Sequence, residues 1–143
     1  MTTVKEQIPQ DELQVALLMG LLFREITQTF ADEDWAGLRQ SHFRVISSVP
    51  EGGISVTELG ERLGMSKQGC GQFVTQLEQT GHLRTEADPA DRRVRRVHRT
   101  RLGHETIAAV TARMLRLEDD WAAIVGERRY RTFRTVLEEL ALR

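Results

Sequence analysis

Between Ile54 and Gly69 the chain reads "ISVTELGERLGMSKQG", a stretch whose punctuation leaves the backbone few choices. Ser55 and Glu58 have the S-x-x-E spacing of a capping box, in which each side chain satisfies a backbone N–H at a helix start. A short helix should therefore run from Val56 to Leu63. Gly64 suits the left-handed position past its end, and Ser66 can cap the next helix, leaving a turn of about three residues. Two short helices so joined are a helix-turn-helix candidate.

If residues 66 to 80 are helical, Cys70, Phe73, Val74 and Leu77 form one apolar stripe and Cys70 points into the core. The opposite side carries Lys67, Gln68, Gly71, Gln72, Thr75 and Gln76, with no acid until Glu78. Amides and hydroxyls that reach base edges, and a lysine that meets phosphate, suit a nucleic-acid groove. A solvated surface face has the same composition. Gly69 and Gly71 cost a helix roughly 1 kcal/mol each relative to alanine. Close approach to a phosphate backbone or to a neighbouring helix is the available offset.

After Thr80 and Gly81 the helical period stops. "HLRTE" and "VRRVHR", separated by "ADPADRR", read as a β-hairpin in which Val97 shares a face with Arg95 and Arg99. The net charge of −1 hides an asymmetry at this point. Seven arginines lie between Arg84 and Arg101 against Glu86, Asp88 and Asp91, whereas the first 36 residues hold seven acids against Lys5 and Arg24. A local basic block in a neutral chain is the footprint of a polyanion-binding surface, or else of a charged face in water.

Around this centre lie longer helical patterns. From about Gln10 to Phe30, Leu13, Leu17 and Leu21 recur at helical spacing, with Asp11 and Glu12 in the first turn. A helix from Arg39 to Ser48 is marked by Phe43 and Ile46. Thr100 can cap a helix to about Asp120 with Val110, Met114, Leu117 and Trp121 as its stripe. A last one follows Gly126, striped by Tyr130, Phe133, Leu137 and Leu140. The expected fold is mainly α with a small β-wing, in a chain of 143 residues that has the length of one domain. Residues 10–32 and 101–143 are its flanking helices and residues 38–100 its winged helix-turn-helix lobe.

Enzyme readings find little support. G-C-G lacks the third glycine of a dinucleotide fingerprint, and an apolar stripe is the wrong setting for a reactive Cys70. His42, His82, His98 and His104 show no metal-ligand spacing, so no metal or cofactor is expected. A lone cysteine, no leader and no apolar run long enough for a bilayer make a cytoplasmic setting the expectation.

From about Leu38 to Gly103 the chain resembles the MarR family of winged helix-turn-helix transcription regulators. The resemblance is carried by "ISVTELGERLGMSKQG", "LEQTGHLRTEADPADRR" and "TRLG", and most specifically by the D-P-x-D-x-R element Asp88, Pro89, Asp91 and Arg93. It implies a homodimer, joined through helices of both chain ends, that binds double-stranded DNA at a pseudo-palindromic site. Ser66, Lys67, Gln68, Gly71, Gln72, Thr75 and Gln76 would lie on the major-groove helix. Arg93 would enter the minor groove with Asp91 holding the wing in shape, and Arg92, Arg95 and Arg96 would meet phosphates. A small aromatic or amphipathic effector would bind near Met19, Phe23, His42, Phe43 and Ile46 and make the protein a ligand-responsive repressor.

Several positions depart from the family pattern. Gly69 and Gly71 stand where small hydroxyl residues are common, Gln72 where arginine or asparagine is frequent, and Arg99 where leucine precedes Thr100. His42 lies near a position used by zinc-responsive relatives, without their further histidines. The alternative from another class is a winged-helix module whose arginine-rich wing binds an acidic protein partner.

Overall fold

The computed structural model describes residues 14–143. These form α1 (Val15–Ala31), α2 (Gln40–Ser47), β1 (Ile54–Ser55), α3 (Val56–Leu63), α4 (Lys67–Gln79), β2 (Leu83–Ala87), β3 (Arg95–Arg99), α5 (Arg101–Val125) and α6 (Glu127–Ala141). The fold is mainly helical with a small three-stranded antiparallel wing sheet. Contacts divide the chain into two compact units, Met1–Gln40 and Ser41–Arg143.

The first unit contains α1. Asp11, Glu12 and Leu13, expected in its first turn and stripe, lie outside the described residues. Val15, Met19 and Phe23 are all more than half exposed. Beyond the helix, Asp34 Oδ1 accepts from the Ala36 N–H at 2.9 Å, closing a tight turn in which Ala36 and Gly37 take positive φ.

The second unit holds the core. Val45 and Ile46 of α2, Leu59 of α3, Cys70 and Leu77 of α4, and Ile54 and Val97 of the sheet are almost wholly buried. Leu59 and Leu63, and likewise Cys70, Val74 and Leu77, recur at helical spacing, so each short helix turns one stripe inward. Burial of this kind contributes about 1.5–3 kcal/mol for each large apolar side chain. Cys70 is the stripe's small member, and desolvation holds its thiol above the ordinary value.

The expected hairpin forms, with Thr85 opposite Val97 and Leu83 opposite Arg99. A third strand was not foreseen: β1 adds to the free side of β3, pairing Ile54 with Val97 and Ser55 with Arg96 in the order β1-β3-β2. Val97 is thereby buried at the sheet centre. Its same-face neighbours reach polar partners at the rim, Arg95 bonding the Thr85 hydroxyl and Arg99 donating to the Ser47 carbonyl at 2.8 Å.

The end of the hairpin is tied to the end of α4. The Thr100 hydroxyl donates to the Gly81 carbonyl at 2.5 Å and accepts from the Gly103 N–H at 3.1 Å. Gly103 lies so close to the His82 carbonyl that an added Cβ would overlap it. The α5 helix runs past Asp120 to Val125, because nothing in its sequence breaks the pattern before Gly126. It is clasped to α6 where the Tyr130 hydroxyl donates to Glu118 Oε1 at 2.6 Å; burial first, and then this bond, push that hydroxyl up to about 12. Phe133, Val136, Leu137 and Leu140 remain exposed along α6. No helix among the described residues is long and apolar enough to cross a membrane.

Candidate nucleic-acid interface

Local geometry fixes the helix pair first. Ser55 Oγ accepts from the Glu58 N–H at 3.1 Å. The return bond expected of the capping box is not made among the described residues, so Ser55 alone caps α3. Gly64 is left-handed (φ 65°, ψ 31°), and the Met65 N–H donates back to the Gly60 carbonyl at 2.8 Å. Ser66 then caps α4 by accepting from the Gly69 N–H at 3.0 Å. The turn between the helices is three residues, as the caps demand.

Two glycines sit where this packing is tight. A Cβ on Gly60 would stand 3.2 Å from the Met65 carbonyl and 3.4 Å from the Cys70 Cβ, so α3 and α4 cross closely there. A Cβ on Gly69 would press the capping hydroxyl of Ser66 at 3.1 Å. The role of Gly60 escaped the sequence reading, although its place beside Leu59 on the buried face of α3 was a usable signal.

The α4 helix and the wing face each other across one open cleft. Its α4 wall carries Lys67, Gln68, Gly71, Val74, Thr75 and Glu78; its wing wall carries Thr85, Arg93, Val94 and Arg95. Ser55, Val56 and Thr57, at the start of α3, complete it. Among the described residues the side chains of Lys67, Gln68, Gln72 and Thr75 make no hydrogen bond or ion pair. Gln72 is exposed on α4 but does not line the cleft, and Gln76 Oε1 lies 3.4 Å from His42 Nε2. The cleft also brings in residues that the sequence did not single out. Thr85 donates to Glu78 Oε2 at 3.1 Å and accepts from Arg95, a polar bridge from α4 to the wing.

The wing is organised by its two aspartates. Asp91 Oδ1 accepts from both the backbone N–H and Nε of Arg93, at 3.1 and 3.2 Å, while Oδ2 accepts from its Nη2 at 3.4 Å. The Arg93 guanidinium is the first cause that holds Asp91 below the usual carboxylate value. Asp88 accepts from the Ala90 N–H at 2.8 Å, its main source of depression, and pairs with Arg96 at 3.3 Å. Arg96 also donates to the Gly53 carbonyl at 3.4 Å, so in the free chain it ties the wing to the loop before β1. Arg92 is exposed at the wing tip with no partner among the described residues.

Of the residues expected to form an effector site, His42, Phe43 and Ile46 are buried, whereas Met19 and Phe23 are exposed on α1. His42 packs edge-on against Phe73, with ring centroids 5.6 Å apart. No group of three or more potential metal ligands occurs among the described residues.

A capped helix pair, a basic hairpin beside it and a polar cleft between them define a winged helix-turn-helix protein of the DNA-binding kind. The sequence profile described as MarR family matches residues 36–94. Among solved structures, the transcriptional regulator Tm0710 from Thermotoga maritima is 27% identical, with a TM-score of 0.66 over 87% of this chain and 89% of that one. The reduced form of MarR from E. coli is 15% identical, with a TM-score of 0.76 over 90% and 97% of the two chains. PcaV from Streptomyces coelicolor, solved in complex with its natural ligand, is 18% identical with a TM-score of 0.68, covering 99% of this chain and 97% of that one. A search of curated proteins finds no significant match. Residues 36–94 are thus similar in sequence to the MarR family, and the described residues share the winged helix-turn-helix fold of these solved regulators.

Proposed function

We propose that this regulator is a ligand-responsive repressor that acts in the cytoplasm as a homodimer on a pseudo-palindromic operator. Each α4 enters a major groove, the two lying about one helical turn (~34–36 Å) apart, and each wing tip reaches an adjoining minor groove through Arg93. The observation that carries the reading is the cleft, where unengaged amide, hydroxyl and ammonium groups on α4 oppose Arg93 and Arg95 of the wing. The amides and the hydroxyl suit base edges, Lys67 and Arg95 suit phosphates, and Arg93 suits the minor groove.

Family members bind DNA as dimers. The exposed apolar side chains of α1 and of α5 and α6, with Ile124 79% exposed, are faces that a second copy would cover. The ligand in the PcaV complex supports a small-molecule input, and an aromatic or amphipathic effector would act by preferring one spacing of the two α4 helices over another.

Sedimentation together with mobility shift of duplex DNA tests the proposal. The purified protein is expected to sediment as a dimer, to shift duplex DNA at low salt, and to release it steeply as salt rises. A monomer, or a protein that leaves duplex DNA unshifted at low salt, contradicts it.

A further inference from the structure

We infer that α4 selects A·T pairs at the centre of each half-site, with the Gln68 and Gln72 amides bonding adenine and the bare backbone at Gly71 receiving a thymine methyl group. The inference rests on the reading of α4 as the major-groove helix and specifies what that helix prefers.

Base edges in the major groove differ in kind. Guanine shows two acceptors, which arginine or lysine meets best; adenine shows an acceptor beside a donor, which a carboxamide meets; thymine adds an apolar methyl. The α4 helix contains no arginine, and its one lysine, Lys67, is its first residue. Its acid, Glu78, is engaged by the Thr85 hydroxyl. What remains on the outer face is Gln68, Gly71, Gln72 and Thr75, at i, i+3, i+4 and i+7. Gln76 is the exception among the amides because its oxygen faces His42. The two glutamines left without partners therefore flank Gly71.

Gly71 is the glycine of this helix pair that the fold does not explain. Gly64 is favoured by its left-handed backbone, while a Cβ on Gly60 would crowd the Met65 carbonyl and one on Gly69 the capping hydroxyl of Ser66. A Cβ on Gly71 would meet nothing within 4 Å, and its φ is not positive. Glycine inside a helix lowers stability relative to alanine, so its reason lies outside the chain. Gly71 also lines the cleft. The backbone at Gly71 is therefore bare to open space, on the helix face that carries the two unpartnered amides.

The test begins with selection of bound duplexes from a randomised pool, followed by binding titrations on the selected duplex with single-atom edits. Uracil in place of central thymine removes only the methyl, and 7-deazaadenine in place of adenine removes only the N7 acceptor. We expect A·T centres, a several-fold loss with uracil and about a tenfold loss with 7-deazaadenine for the wild type. Gly71→Ala should bind the thymine duplex more weakly than the wild type and recover part of that loss on the uracil duplex. Gln68→Ala with Gln72→Ala should lose its response to 7-deazaadenine. Thermal melting should show both variants folded, with Gly71→Ala raised. Selected half-sites centred on G·C, or wild-type binding indifferent to uracil and 7-deazaadenine, overturn the inference while leaving the protein a DNA binder. A pool from which nothing is selected overturns both.

Discussion

The α4 helix and the wing border the same cleft and are prepared for it in opposite ways. On α4 the side chains of Lys67, Gln68, Gln72 and Thr75 are unengaged among the described residues. On the wing Arg84 is held by Glu86, Arg93 by Asp91, Arg95 by Thr85 and Arg96 by Asp88. Free glutamines adapt to a base edge but lose rotamer freedom when they do so, a cost of up to about 2 kcal/mol each. Held arginines lose less, yet must exchange a carboxylate or, for Arg95, a hydroxyl for a phosphate. The difference assigns choice of sequence to the helix and salt-dependent affinity to the wing.

The largest expected effect probes the wing side of this division. Arg92→Ala with Arg95→Ala should weaken duplex binding on the order of a hundredfold and make the plot of log affinity against log salt shallower by about 1.8, or roughly 0.9 for each phosphate no longer neutralised. An unchanged slope, measured by anisotropy across a salt series, would place both arginines off the phosphates and erase the contrast.

A smaller effect tests the bridge between the two regions. Thr85→Val removes the hydroxyl that donates to Glu78 and accepts from Arg95. Urea unfolding should show a loss of about 1 kcal/mol. No loss would mean that the helix and the wing are held apart by the sheet alone.

The smallest effect separates the joint below α4 from the wing by their response to pH. Burial first, and then the charge of His42, hold His82 below the ordinary imidazole value of 6.5. The unfolded chain therefore binds this proton more readily than the folded one. Its stabilising contribution is complete above 6.5 and is lost as pH falls from there toward the folded value. Asp88 and Asp91 are likewise depressed, from 3.8, so their contribution persists at pH 5 and is lost only in more acid solution. The melting temperature should fall between pH 7 and pH 5, and His82→Gln should flatten that fall while Asp88→Asn should not. A fall unchanged in His82→Gln would assign it to other groups.

Local chemistry made much of this legible in advance. Ser55, Gly64 and Ser66 act within a few residues of themselves, so the bounds of α3 and α4 followed from cap geometry. The stripe of Cys70, Val74 and Leu77 was readable for the same reason, since helical period alone turns it inward. The two residues of β1 were not, because they become a strand only by meeting Arg96 and Val97 more than forty positions away. Nor could Gln76 be told from Gln68 and Gln72, which share its composition and differ in having no buried histidine beside them.

What the sequence by itself determined was the helix pair, the hairpin, the inward position of Cys70 and the basic character of the wing. All depend on caps, periodicity and charge, which act over a few residues. Tertiary structure decided which polar groups remain available: it closed Arg96 onto Asp88 and Gly53 and set Gln76 against His42. It also separated glycines that look alike in sequence. Gly60, Gly69 and Gly103 each lie against a particular atom, while Gly71 opens to the cleft. The reason is that availability depends on what else occupies the surrounding space, and distant segments occupy it only once the chain has folded.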